Sequence, residues 1–298
     1  MEILDLAIVG AGPSGISAAI YAKRAGLNIK IFEKYFVGGQ VASAFEIENY
    51  PGYSLVNGVD LAFSYQTQLK SLNIDVAYEE ITKISKSDDV FTLSTSFGNE
   101  YQAKKVILAL GTQPKKLGLD NEEKFIGKGV SFCATCDGNF YKDKNVVVVG
   151  GGNSAFTEAL HLSNIVKHLT ILVRSRILAD KVEVDKVQAL ENAEIIENSV
   201  ITKLHGEDKL TGIDIQNLKS GEIKSLECDG VFVYIGQNPP TNFVKELNIL
   251  DEKGYIKVDE HFETSIKGLY SIGDSIPKEV RQIVTAVSDG ASVIHHIK

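Results

Sequence analysis

Cysteine is scarce in this chain: Cys133, Cys136 and Cys228 are the only three among 298 residues. A disulfide framework is therefore excluded. A four-ligand zinc site finds no second Cys or His pair, because His161, His168, His205 and His261 are dispersed and His295 and His296 lie in the tail. A basic surplus is also missing. The net charge is −8 and the lysines are scattered among acids, which argues against a nucleic-acid partner, since phosphates call for clustered Lys and Arg. No apolar run approaches the roughly 20 residues that cross a bilayer. A signal peptide is absent too, for "MEILDLAIVGAGPSG" passes from Met1 straight into strand-like residues and a glycine turn. The expectation is a cytoplasmic protein without a membrane partner, in a compartment that keeps thiols reduced. Three roles are open to Cys133 and Cys136: a zinc half-site, a structural clip, or a pair that carries electrons. The redox role leads, because an intracellular Cys-x-x-Cys is more often catalytic than structural. Cys228, in "LECDGVFVYIG", reads as a small buried hydrophobe.

What is present is a globular balance, 44% hydrophobic and 23% charged, in a chain long enough for one large domain or two of ordinary size. One kind of turn occurs twice. In "LDLAIVGAGPSGISAAIYAKRAGLNIKIFEK" an apolar strand ends at Ile8 and Val9, Gly10, Gly12 and Gly15 form a G-x-G-x-x-G turn around Pro13 and Ser14, and a helix and a second strand follow. Gly10 permits the tight turn, Gly12 lets the backbone approach a pyrophosphate, and Gly15 lets helix pack closely on strand. The helix N-terminus then offers free N–H groups and a positive dipole end to the phosphates. Glu33 stands 18 residues after Gly15 (33 − 15), at the end of the second strand, where a carboxylate hydrogen-bonds a ribose hydroxyl.

The second copy, "NVVVVGGGNSAFTEALHLSNIVKHLTILVRSR", sets Gly150, Gly152 and Ala155 in the same pattern. Its counterpart of Glu33 is Val173 (155 + 18), followed by Arg174, Ser175 and Arg176. An acid there would repel the 2′-phosphate of NADP, whereas an arginine can clamp it, so this site reads as favouring NADPH over NADH. Two such turns imply two nucleotides, and their order suggests a bound flavin first and a nicotinamide donor second.

Each turn-bearing stretch leads into short alternating runs broken by turn residues, "KSDD" and "FGNE" after the first, "KSGE" after the second, which predict small antiparallel meanders. Each block closes on an apolar strand, a glycine and a proline, "ILALGTQP" and "VFVYIGQNPP". Those segments suit crossings between domains. The expected division is residues 1–113 with 241–298 as one domain and 114–240 as the other. The C-terminal "GLYSIGDSIPKEVRQIVTAVSDGASVIHHI" is too short to fold alone and returns to the first domain as a strand ending at Gly273-Asp274 and a helix beginning near Arg281.

Taken together, "GAGPSG", "GGQ" at 38–40, "IENYPG" at 47–52, "GKGVSFCATCDG", "GGGNSA", "GD" at 273–274 and "RQ" at 281–282 resemble the low-molecular-weight bacterial thioredoxin reductase family over essentially the whole chain. The resemblance implies an α/β protein of two Rossmann-like, three-layer β/β/α dinucleotide-binding domains, the second inserted in the first. It implies a homodimeric FAD enzyme passing electrons from NADPH through flavin to a disulfide and then to thioredoxin. Carried onto this sequence, Cys136 would be the sulfur nearest the flavin, Cys133 the one that attacks thioredoxin, and Asp137 the acid that manages thiol protons. Gly10, Gly12, Pro13, Ser14, Gly15, Glu33, Gly39, Gln40, Asn49, Gly111, Gly273, Asp274, Arg281 and Gln282 would line FAD. Gly150, Gly152, Asn153, Ser154, Ala155, Arg174 and Arg176 would line NADPH.

One departure bears on the donor. Where the family carries His-Arg-Arg and a later Arg, this chain reads Val173-Arg174-Ser175 and Ala179, so half the clamp is missing and NADH or another reductant such as ferredoxin stays open. The chemistry itself makes demands. The sulfur beside the flavin must leave as a thiolate, and exchange needs a proton source, for which Asp137 would have to be buried enough to hold a proton. Cys133 and Cys136 share a domain with the nicotinamide site, yet both sites must reach the one flavin. A rigid rotation of residues 114–240 about the crossings would let them alternate, and the resemblance implies one.

Overall fold

The computed structural model describes residues 2–44 and 47–297. From the N-terminus, β1 (Ile3–Val9), α1 (Pro13–Arg24), β2 (Ile29–Phe32), α2 (Gly58–Ser71), β3 (Val76–Ala77), β4 (Ile81–Ser87), β5 (Val90–Thr95), β6 (Glu100–Leu108) and β7 (Gln113–Pro114) come first. Then follow α3 (Glu122–Phe125), β8 (Val130–Ser131), α4 (Ala134–Asp137), β9 (Asn145–Val149), α5 (Asn153–Ser163), β10 (His168–Val173) and α6 (Lys181–Gln188). The remainder is β11 (Ala193–Glu197), β12 (Ser199–Gly206), β13 (Leu210–Asn217), β14 (Ile223–Glu227), β15 (Gly230–Val233), β16 (Gln237–Asn238), β17 (Leu269–Ser271) and α7 (Ile283–Ile297).

Two compact units result: Met1–Gln113 with Asn238–Lys298, and Pro114–Gln237. The second crossing falls at Gln237/Asn238, not at 240/241 as the prolines suggest. The reason lies in Thr241, which is buried and donates its hydroxyl to the Gly254 carbonyl at 2.7 Å, so that the Pro239-Pro240 stretch belongs to the first unit. Where the chain enters and leaves the second unit, the Lys115 N–H donates to the Gly236 carbonyl at 2.9 Å, bringing the two ends of that unit side by side.

The first unit is built on a seven-stranded sheet ordered β3-β2-β1-β6-β5-β4, with β17 paired to the C-terminal half of β6. Strand periodicity sorts its side chains into layers. Leu6 and Ile8 of β1 and Ile107 of β6 point to the helices and pack with Ile16 and Ala19 of α1, Leu61 and Leu69 of α2, and Val293 and Ile294 of α7. Ala7 and Val9, their alternates, join Val106 and Leu108 against Ile84, Phe91 and Leu93 of the β4–β5 hairpin. Each such fully buried aliphatic or aromatic side chain contributes about 1.5–3 kcal/mol.

The second unit repeats the scheme. A five-stranded parallel sheet, β11-β10-β9-β15-β8, carries α5 on one face, where Val146, Val148 and Phe232 meet Ala155, Phe156, Ala159 and Leu162. Val147, Val149, Val231 and Val233 face the antiparallel β12-β13-β14 sheet through Ile201, Leu204 and Ile213. Among the described residues, no helix is long and apolar enough to cross a membrane.

Candidate functional site

The first glycine turn is shaped by what surrounds it. Gly10 has φ +107°, and a Cβ there would lie 2.2 Å from the Ala109 carbonyl oxygen. A Cβ on Gly15 would lie 1.9 Å from the Gly10 carbonyl oxygen, so only glycine lets α1 sit this close to β1. Gly12 caps α1 without any side-chain hydrogen bond, Pro13 opens the helix, and the space beside Gly12 is open. Free N–H groups thus face that space. Glu33 closes the turn: its carboxylate accepts the Ala11 N–H at 2.8 Å and the Tyr35 N–H at 2.9 Å. A cleft of about 120 Å³ runs from Val9 and Gly10 past Phe32 and Glu33 to Glu79, Pro240 and Phe243.

The other candidates of this unit gather around the same turn. Gly39 lies 3.4 Å (from an ideal Cβ) to the Gly12 Cα, and Gly38 donates its N–H to the Ala11 carbonyl. Gln40 donates to both the carbonyl and the hydroxyl of Thr112, next to Gly111, at 2.8 Å. Asn49 donates to the Gln282 side chain at 3.1 Å. Gly273 packs on Ser14, with space for no Cβ, and donates its N–H to Asp289 at 2.9 Å. Beside it, Oδ1 of Asp274 is buried with no hydrogen-bond partner among the described residues, and burial raises its pKa despite Lys278 and Arg281 nearby. The Arg281 guanidinium lies over the Tyr255 ring at 4.8 Å, and its buried Nε also lacks a partner. The helix expected near Arg281 begins at Ile283, because the Thr285 hydroxyl accepts the Gln282 N–H and leaves Arg281 and Gln282 ahead of the first turn. Sequence reading missed Asp289 and Lys278, an ion pair at 2.6 Å that braces Gly273. Neither sits in a recognisable pattern.

In the second unit Cys133 and Cys136 form a disulfide, with a Cα–Cα distance of 5.3 Å. Strand β8 delivers the chain to this point, and Cys133 is the N-cap of α4, its Sγ 3.1 Å from the Cys136 N–H. Cys133 is half-buried and Cys136 exposed. Two hydroxyls anchor the turn from within. The Ser131 hydroxyl accepts the Cys133 N–H at 3.1 Å and donates to the half-buried Asp137 carboxylate at 2.7 Å. The Tyr234 hydroxyl accepts the N–H of Ala134 at 2.8 Å. Neither residue was singled out in the sequence, since their roles depend on side chains that meet only through the sheet. Cys228 is buried and free, its thiol pushed up to about 12 by burial.

The second glycine turn follows on β9. Gly150 has φ +152° and meets the Tyr234 carbonyl, Ala155 is fully buried at the third position, and the space beside Gly152 is open. Asn153, the first residue of α5, is tied to the loop after β10: its side chain accepts the Asp180 N–H at 2.7 Å and donates to the Asp180 carboxylate at 2.8 Å. Leu178 and Ala179 donate N–H groups to the Gly151 carbonyl. Val173 is buried, and Arg174, Ser175 and Arg176 are exposed, as is Ser154. Asp180 caps α6 without a side-chain bond to it, its carboxylate being committed to Asn153.

Comparison with known proteins agrees with this geometry. The family model for pyridine nucleotide-disulphide oxidoreductases matches residues 4–290. A 34.2 kDa protein in the rubredoxin operon of Clostridium pasteurianum is 40% identical, covering 96% of this chain and 94% of that protein. The thioredoxin reductase of Treponema pallidum is 39% identical, covering 98% of this chain and 95% of its own. Among solved structures, Lactococcus lactis thioredoxin reductase in its FR conformation superposes with a TM-score of 0.95 at 35% identity, over 99% of this chain and 97% of that one.

Proposed function

We infer the reaction from one premise: the chain belongs to the pyridine nucleotide-disulphide oxidoreductase family, among its thioredoxin reductases. It is a thioredoxin-disulfide reductase, and in the finer reading two electrons pass from NADPH, by way of FAD, to the Cys133–Cys136 disulfide and on to thioredoxin. The observation that carries this reading is the disulfide itself, closed across the first turn of α4 in the unit that also holds the second glycine turn.

The first unit suits FAD. The open N-terminus of α1 at Gly12, Pro13, Ser14 and Gly15 would hold the pyrophosphate. Glu33 retains lone pairs for a ribose hydroxyl beyond the two backbone N–H groups it accepts. The orphaned Asp274 carboxyl and Arg281 Nε are buried polar atoms that a bound group would satisfy. When bound, FAD supplies acceptance of a hydride and delivery of an electron pair to a disulfide. Within this chain, Cys136 is assigned as the sulfur that receives those electrons, and Cys133 as the thiolate that attacks the disulfide of thioredoxin. Asp137, oriented by Ser131 beside the Cys133 amide, is placed to handle the proton that the exchanging sulfurs need.

In the second unit the open N-terminus of α5 at Gly152, Asn153 and Ser154 would take the pyrophosphate of the donor, with Arg174 and Arg176 toward a 2′-phosphate. A second reading, with NADH or a different reductant such as reduced ferredoxin, rests on one local feature. The Asp180 carboxylate is held at the first residue of α5, beside the anion-binding end, while Ser175 and Ala179 add no guanidinium. The exposed apolar side chains Tyr35, Phe36, Val59 and Phe63 of the first unit fit burial against a second copy, and the working form is a homodimer in the cytoplasm.

The test is anaerobic titration of the purified yellow protein with NADPH and then NADH, thioredoxin being present. NADPH should bleach the flavin and turn over thioredoxin, and C136S should keep its flavin and lose thioredoxin reduction. Turnover by C136S would overturn the electron path. Bleaching by NADH alone, or by neither nicotinamide, would overturn NADPH as donor.

A further inference from the structure

Two cations stand near the Asp274 carboxyl, and neither bonds its buried oxygen. Oδ1 of Asp274 has no hydrogen-bond partner among the described residues. Lys278 and Arg281 follow four and seven residues on; burial raises the Asp274 pKa, and the charges of these two pull it down. A carboxylate with an ammonium in reach ordinarily closes on it, because such a bond strengthens where water is scarce. Here both cations are held off.

Arg281 is held by the Tyr255 ring, over which its guanidinium lies at 4.8 Å. Lys278 is held by Asp289. The Asp289 Oδ2 takes the Lys278 ammonium at 2.6 Å, in a pair whose side chains are each 14% exposed. The same oxygen accepts the Gly273 N–H at 2.9 Å, so one carboxylate oxygen separates the ammonium from the Gly273–Ser275 turn that carries Asp274. Asp289 itself is fixed, since α7 is locked to α1 on either side of it. A Cβ on Gly290 would lie 2.3 Å from the Ser14 carbonyl oxygen, and the Ser17 hydroxyl donates to the Val287 carbonyl at 2.7 Å. Ser14 also packs on Gly273, which ties the first glycine turn, the Gly273 turn and Asp289 to one another.

We propose that Asp289 is a positioning residue for flavin binding: it withholds Lys278 from Asp274 and so keeps the Asp274 carboxyl available to the cofactor. A free carboxylate accepts a hydroxyl or N–H of a bound group, whereas a lysine seated on it would have to be displaced first. Asp289 thus does two things, and chemistry can separate them. An asparagine at 289 still offers a carbonyl oxygen to the Gly273 N–H, but has no charge with which to hold an ammonium.

The inference rests on the assignment of Asp274 to the FAD site, and its test reads flavin affinity of the whole protein rather than turnover. Free FAD is followed by its fluorescence as the yellow holoprotein is diluted. Asp289→Asn should hold FAD roughly tenfold or more weakly, since a charge-assisted bond then competes with the cofactor. Asp289→Asn combined with Lys278→Met should return to within about threefold of the wild type, because the competing cation is gone. Wild-type affinity in Asp289→Asn would overturn the proposal. So would a double variant as weak as the single one, since a residue that only braced Gly273 gains nothing from the loss of Lys278. A wild type that holds no FAD, or an Asp274→Ala that holds it unchanged, would overturn the Asp274 assignment and the proposal with it. Should Asp289→Asn fail to fold, the double variant is compared with the wild type directly: affinity within about threefold supports the withholding of Lys278, and a loss of about tenfold overturns it.

Discussion

Glu158 and Cys136 show how differently single residues disclose themselves. A Cys-x-x-Cys in a cysteine-poor chain is visible in one dimension, because sulfurs three positions apart can close across one turn of helix wherever they occur. Glu158 in "FTEALHL" looks like any acid of an amphipathic helix, and only the folded structure shows that the residue is half-buried with its Oε2 shut away from water. Its effect on stability follows from the sign of its shift. The folded-state pKa of about 7 is above the ordinary 4.5, so the ionised form is the costly one. The stability it permits is complete below pH ~4.5 and is lost as pH rises to about 7, a loss on the order of 3 kcal/mol at most. Thermal melts from pH 5 to 8 should therefore show Glu158→Gln gaining on the wild type as pH rises, and parallel curves would contradict the burial of this carboxyl.

At the scale of elements, the two glycine turns were the most legible features of the chain. Strand, turn and helix are adjacent in sequence, so the spacing Gly10, Gly12, Gly15 maps directly onto the close approach of α1 to β1. Gly15→Val would push a side chain into the Gly10 carbonyl, which a fixed turn cannot vacate. The expected outcome is a loss of roughly 1–3 kcal/mol or more and purification without flavin, read by thermal melting and by the visible absorbance-to-protein ratio. A yellow, fully stable Gly15→Val would contradict this account of the turn. The loop that answers Arg174 and Arg176 was less legible. The spacing places arginines after β10, but the tie between Asp180 and Asn153 joins residues 27 positions apart and depends on how the loop folds back on Gly151.

At the scale of the whole molecule, the repeated pattern of turn, meander, glycine and proline anticipated a chain in two units with a segment returning to the first. The prolines misplaced the second crossing by three residues, because buried Thr241 draws the preceding prolines into the first unit. Association is the remaining question at this scale. Val59 and Phe63 lie one turn apart on α2 and are 60% and 68% exposed, more apolar surface than a helix of this amphipathic kind leaves to water without a partner. If the homodimer proposed above buries this face, Phe63→Glu converts a dimer to a monomer in sedimentation or light scattering, and a monomeric wild type or an unchanged dimer mass would overturn that assignment.

Sequence alone determined whatever chemistry is local. The sulfur pair, the two phosphate turns, Glu33 at its strand end and the alternation that sorts β1 into two layers all follow from residues a few positions apart, where backbone geometry leaves little choice. The tertiary structure decided what lies beside those groups. That Ser131 orients Asp137, that Tyr234 holds the amide between the cysteines, that Asp289 braces Gly273 and that Oε2 of Glu158 is buried without a hydrogen-bond partner among the described residues are facts of packing between distant segments. Burial and hydrogen bonding depend on the neighbours the fold supplies, and no spacing along the chain encodes them.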